Sequence, residues 1–161
     1  MSRTMKIAVF LLALSSAVAA PLTPFRIVGN ASSGANVVCG VPLPVKDIVN
    51  SCRVPFGFVP ATIHSKAQND AALKIAAGVP IYCSDATDKI VIGLYSEHQK
   101  FKWLGSNTTY DFNNIRKGVE IPDGPTYYVL AFKDTAEQKA GEWLPVDGNV
   151  RIAGALCVNK H

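Results

Sequence analysis

Six consecutive apolar residues, Tyr127 to Phe132, stand between Asp123-Gly124-Pro125 and Lys133-Asp134. A run of that length with turn residues at both ends reads as a strand with both faces covered. Lys89 to Tyr95 (KIVIGLY) is a second strong strand, and Val150 to Val158 is the last. Lys100 to Leu104 (KFKWL) alternates polar and apolar positions, as a half-exposed strand should. Asn36 to Gly40 is short and β-branched and reads as an edge strand, because Pro42 and Pro44 block regular pairing beyond it. Val79 to Cys83 is a further strand candidate. Val59 to His64 is one interrupted by Pro60, and Glu142 to Leu144 is a short one stopped by Pro145. Gly105 to Thr109 and Asp147-Gly148 are turns, and Tyr110 to Glu120 is a loop with Ile115 and Val119 packing inward.

Two stretches carry helical spacing instead. Val45, Ile48, Val49 and Cys52 fall on one face of a short helix that starts at Pro44 and ends before Pro55. Lys66 to Ala77 is the clearest helix. Ser65 is a good N-cap, and Gln68 three residues on completes a capping-box pattern. Ala67, Ala71 and Ile75 form a stripe of small side chains along which the helix can lie close to a sheet. Gly78 supplies a left-handed C-cap, and Pro80 prevents continuation. Helix first and antiparallel strands afterwards is an α+β order.

Residues 1–20 change what belongs to the fold. Arg3 and Lys6 precede the apolar run Ile7 to Leu14, and Val18-Ala19-Ala20 is a small-residue cleavage pattern, so this segment reads as a secretory signal peptide. Residues 21–35, rich in Gly, Ser, Asn and Pro, read as a flexible leader, and 36–161 as a single domain. Removing residues 1–20 leaves 141 residues, enough to bury a core. It also leaves 14 basic residues against 12 acidic, a net of +2, which makes no case for a nucleic-acid groove by bulk charge. Cys39, Cys52, Cys83 and Cys157 all remain, and an even count in an exported chain implies two disulfides. Four cysteines allow three pairings, and spacing does not choose among them. No C-x-x-C spacing is present, so zinc is not expected; no other metal and no cofactor is expected either. Asn30-Ala-Ser and Asn107-Thr-Thr are N-glycosylation sequons.

The two ends of the chain resemble a family. Cys39-Gly40, Leu43-Pro44 and Ile48 at one end, and Pro125-Thr-Tyr-Tyr-Val-Leu, Lys133-Asp134, Trp143 and Cys157-Val158 at the other, resemble the ribonuclease-like secreted effectors of plant-pathogenic fungi. Those proteins share the fold of the small fungal guanyl-specific ribonucleases. The resemblance covers about a third of the chain after residue 20. It implies one main helix packed on a twisted antiparallel sheet. It also implies a bond between the first and last cysteines, Cys39–Cys157, leaving Cys52–Cys83. A secreted virulence effector would follow, extracellular or acting inside host cells, a monomer that binds a host plant protein or RNA. Three of the family's catalytic groups have no counterpart: Lys100-Phe101-Lys102 stands where its glutamate should be, Tyr127 where its arginine should be, and Glu142-Trp143-Leu144 offers no late histidine. The implied protein has a ribonuclease fold without ribonuclease chemistry.

Individual residues add little catalysis. His64 is the one histidine near a ribonuclease position, and beside a helix cap it reads first as a surface or capping residue. Glu97-His98, within SEHQK, reads as an exposed hairpin turn, and Arg116-Lys117 beside Glu120 as solvated loop charge. No G-x-S-x-G elbow and no phosphate-binding glycine loop is present. For binding, Lys100 and Lys102 share one face of their strand and Phe101 and Trp103 the other. Lysines there could meet phosphates while Tyr110 stacks a base. The candidate RNA- or partner-binding set is therefore His64, Lys100, Lys102, Tyr110 and Arg116. Two other functions stand beside the effector reading: an active secreted ribonuclease using His64, Glu97 or Glu120, and a cysteine-stabilised structural or cell-wall protein.

Overall fold

The computed structural model describes residues 26–30, 34–53, 57–81, 83, 85–86 and 88–159. The expected signal peptide and His161 lie outside the described residues. The elements in chain order are β1 (Arg26–Asn30), β2 (Ala35–Pro44), α1 (Val45–Ser51), β3 (Phe58–Pro60) and α2 (Lys66–Ala77). They continue with a 3-10 turn (Val79–Ile81), β4 (Lys89–Glu97), β5 (Lys100–Trp103), β6 (Thr126–Ala131), β7 (Trp143–Val146) and β8 (Arg151–Asn159). Among the described residues the eight strands form one sheet in the order β1-β2-β8-β4-β6-β7, with β3 beside the end of β8 and β5 beside β4.

The sheet is mixed, not wholly antiparallel: β4 meets β8 in parallel, with Val91 opposite Ala155. It is also covered on both faces, by a helix on each, where the family resemblance implied one. Alternation along the strands sorts the side chains. Val38, Val91, Val129 and Ala155 face α1 and pack with Val45 and Val49. Val37, Ile90, Ile92, Leu130 and Leu156 face the other way and pack with Ala72 and Ala76 of α2. Two covered faces explain why β4, β6 and β8 are continuous apolar runs and not alternating ones. No helix among the described residues is long and apolar enough to cross a membrane.

The disulfides follow the same division and differ from the expected pairing. Cys52, at the end of α1, bonds Cys157 of β8, and Cys39 of β2 bonds Cys83 beyond α2. The register gives the reason. In the β2–β8 pair Cys39 stands opposite Gly154, whereas Cys157 stands opposite Asn36. Cys39 packs in the core under α2 and Cys157 in the core under α1, so the two thiols point to opposite faces of the sheet and cannot meet.

Several local expectations are refined. α2 has the bounds read from sequence, and Ser65 caps it, its Oγ accepting from Gln68 N at 3.2 Å. Its inward side is Asn69, Ala72 and Ala76, while Ala67 and Ala71 are exposed. Gly78 keeps right-handed helical backbone (φ −82°), and the chain tightens into the 3-10 turn where a strand from Val79 was expected. β2 runs on through Pro42 and Pro44 and is an inner strand, because Arg26–Asn30, within the segment read as leader, pairs along it as β1. β7 likewise runs through Pro145 on the sheet edge.

Candidate functional site

His64 and Tyr110, 46 positions apart in the sequence, come together around Trp103. His64 sits between β3 and α2, where its backbone N–H donates to Gln68 Oε1 at 2.6 Å. Its Nδ1 is 2.6 Å from Asp111 Oδ1, and its ring centroid is 5.6 Å from that of Trp103. Tyr110 stacks on Phe101 at 4.7 Å and 14° and lies 6.3 Å from Trp103. Desolvation, with a smaller contribution from neighbouring Tyr128, pushes the Tyr110 phenol up to about 12. His64 Nε2, Trp103 Nε1 and Tyr110 OH are buried with no hydrogen-bond partner among the described residues. Among the described residues no hydroxyl or thiol bonds the His64 ring, whose Nδ1 is taken by Asp111. What the pair does is fasten the 104–125 loop to the start of α2.

Lys100 and Lys102 stand on the opposite face of β5 and do not join this cluster. Both are exposed, and Lys102 Nζ lies 4.8 Å over the Tyr95 ring. Tyr95 donates to Glu97 Oε2 at 3.1 Å and meets Tyr127 edge-on at 5.3 Å. Burial raises the Tyr127 phenol, and the Asp47 and Glu97 carboxylates raise it further. The lysine face thus carries acidic groups as well, and Tyr110 cannot stack a base beside those lysines because Phe101 and Trp103 hold it on the other side. Arg116 is exposed in the loop, where its backbone N–H donates to Trp143 O at 3.0 Å. The five residues read as an RNA-binding set therefore fall in three places. Glu97-His98 forms the expected hairpin turn: His98 and Gln99 take positive φ (49° and 59°), as a two-residue type I′ turn requires.

Beside the His64 cluster lies a cleft of about 380 Å³, between β3, residues 105–108 and the end of β8. Its polar lining is Thr62, Ser106, Asn107, Thr108 and Asn159, and its apolar walls are Val59 and Val158. None of these side chains is charged. Ser106 Oγ and Thr108 Oγ1 bond each other at 2.9 Å, and Thr108 N donates to Ser106 Oγ at 3.1 Å, which fixes the turn. The side chains of Thr62, Asn107 and Asn159 form no hydrogen bond among the described residues. Two other concavities differ in chemistry. One of about 290 Å³ is lined by Asp85, Asp88, Lys89 and Arg151, but Lys89 already pairs Asp88 at 3.3 Å and Arg151 donates to Pro42 O at 2.6 Å. The other, about 180 Å³ against α2, is walled mainly by Ala61, Ala71, Ile75 and Leu156. No group of His, Cys, Asp and Glu able to hold a metal occurs among the described residues. The 105–109 turn was legible in the sequence; the cleft was not, because β3 and β8 form its other sides.

No protein-family model matches the chain, and no curated protein is similar to it in sequence. Solved structures do match. CEL-IV superposes with a TM-score of 0.62 at 16% identity over 83% of this chain and 91% of its own. The mouse scavenger receptor C-type lectin carbohydrate-recognition domain gives 0.56 at 18% identity, over 80% and 91%. Herring type II antifreeze protein gives 0.59 at 14%, over 86% and 98%. At these identities the likeness shows the fold alone, and that fold is the one of C-type lectin-like domains. It overturns the ribonuclease-like fold, and with it the inactive-ribonuclease effector and the host protein or RNA expected as its partner.

Proposed function

We propose that this chain is an exported, disulfide-bonded carbohydrate-binding protein, and that the cleft between β3, residues 105–108 and β8 takes a neutral saccharide. The fold supports a binding protein, since one of the structures it resembles is named as a carbohydrate-recognition domain. A shared fold does not transfer a ligand, as the antifreeze protein on the same scaffold illustrates. The observation that carries the reading is the cleft's uncharged lining. An anionic ligand calls for Arg or Lys, and a hard cation calls for carboxylates; the cleft has neither. Sugar hydroxyls both donate and accept, which the Thr62 hydroxyl and the Asn107 and Asn159 amides can match, while Val59 and Val158 face the sugar's C–H surface. The volume, about 380 Å³, lies within the range of small-ligand sites, roughly 300–1,000 Å³. Export is supported by the two disulfides and by the pattern of residues 1–20.

Calorimetric titration of the folded protein, freed of any N-linked glycan, with neutral mono- and oligosaccharides tests this. Binding is expected, and Thr62→Val and Asn159→Ala should each weaken it roughly two- to tenfold, the worth of one net hydrogen bond. Absence of binding to any neutral saccharide, or unchanged affinity in both variants, would overturn the reading.

A further inference from the structure

Asn107 belongs to the cleft and to a sequon at once. It lines the cleft, and Asn107-Thr108-Thr109 has the acceptor spacing for N-linked glycosylation. Asn107 and Thr109 are both exposed and lie outside any strand or helix, so an oligosaccharide-transferring enzyme could reach the amide. The Ser106–Thr108 hydroxyl bond holds the turn and leaves the Asn107 amide unpaired. Resting on the saccharide reading above, we infer that Asn107 is N-glycosylated and that its own glycan occupies the cleft, competing with free saccharide. The modification forms a bond from Asn107 Nδ2 to C1 of the first sugar. It breaks the bond from C1 to the diphosphate of a lipid-linked oligosaccharide donor, and the amide gives up one proton. A sugar tethered at the rim starts within reach of Thr62 and Asn159 and meets them at high effective concentration.

Thr109→Ala separates the parts of this inference. Thr109 completes the sequon but does not line the cleft, so the variant loses the glycan and keeps every cleft side chain. The full chain is secreted from a eukaryotic host as wild type and as Thr109→Ala. Each is examined by peptide mass spectrometry and by calorimetry with a neutral oligosaccharide. The expected result is a hexosamine-bearing mass at Asn107 in wild type only, with Thr109→Ala binding at least tenfold more tightly. An unmodified Asn107 in the secreted wild type would overturn the inference whatever the binding result. A glycan at Asn107 with equal affinities would overturn the competition. A folded Thr109→Ala protein that binds no saccharide would overturn the competition together with the cleft reading beneath it, leaving the modification alone.

Discussion

At the scale of single residues, Asn69 shows what patterning by hydrophobicity misses. The stripe Ala67, Ala71 and Ile75 looked like the packed side of α2, yet the buried side is Asn69, Ala72 and Ala76. Asn69 turns inward because its amide accepts from Trp143 Nε1 at 2.7 Å and donates to Gly141 O at 3.0 Å. A polar residue chosen for one partner 74 positions away leaves no local signal. Tyr110 and His64 were each noticed in the sequence, but not that they meet, since the loop carrying Tyr110 has no periodicity to place it. Tyr110 carries a prediction about pH. Its phenol is pushed up to about 12 in the fold, against about 10 in the unfolded chain, so the fold favours the neutral form. That contribution is fully present below pH 10 and is lost as pH rises through about 12. Tyr110→Phe should therefore show a urea midpoint that equals or exceeds wild type near neutrality, because it removes a buried hydroxyl with no partner. Between pH 10 and about 12 the variant should lose less stability than wild type; parallel losses would refute the assignment.

At the scale of elements, ends were legible where a side chain sets them and illegible where neighbours do. The start of α2 is written in Ser65 and Gln68. Its other end is set by the continuation into the 3-10 turn, which satisfies Gly78 N through Ile75 O at 3.2 Å, so the left-handed cap expected of a terminal glycine is not needed. Pro42, Pro44 and Pro145 predict breaks, but β2 and β7 accommodate them, β7 because it is an edge. Gly93, inside the apolar run of β4, lies against the segment after β3. Its N–H donates to Ala61 O at 2.9 Å, and a Cβ there would stand 2.7 Å from the same oxygen. Gly93→Ala should push β4 away from the segment after β3 and cost about 1–3 kcal/mol, seen as a lower urea midpoint with unchanged slope. Wild-type stability in that variant would mean the two backbones can separate freely.

At the scale of the molecule, the α+β class was legible and the particular fold was not. α+β, a disulfide-bonded domain and most strands follow from runs, caps and turns. The ribonuclease-like resemblance rests on short motifs at the two ends, and it implies that the first and last cysteines meet. They occupy opposite faces of one sheet, a fact of register that no spacing encodes. The same register gives a stability ranking. Cys52–Cys157 closes 105 residues and Cys39–Cys83 closes 44. On chain entropy, replacing the first pair by alanines should cost about 0.8 kcal/mol more than replacing the second, each loss being about 4–5 kcal/mol. Equal or reversed losses in denaturant melts would reject that ranking. The position of β8 has a further consequence, for biosynthesis. β8 pairs with β2, β3 and β4 and packs on α1, yet it is the last of these to be made. Until Arg151–Asn159 is available the sheet has no centre, so the emerging chain holds Cys39, Cys52 and Cys83 without Cys157. Three thiols in an open chain can pair wrongly, and correct assembly then depends on thiol exchange after synthesis has passed Cys157.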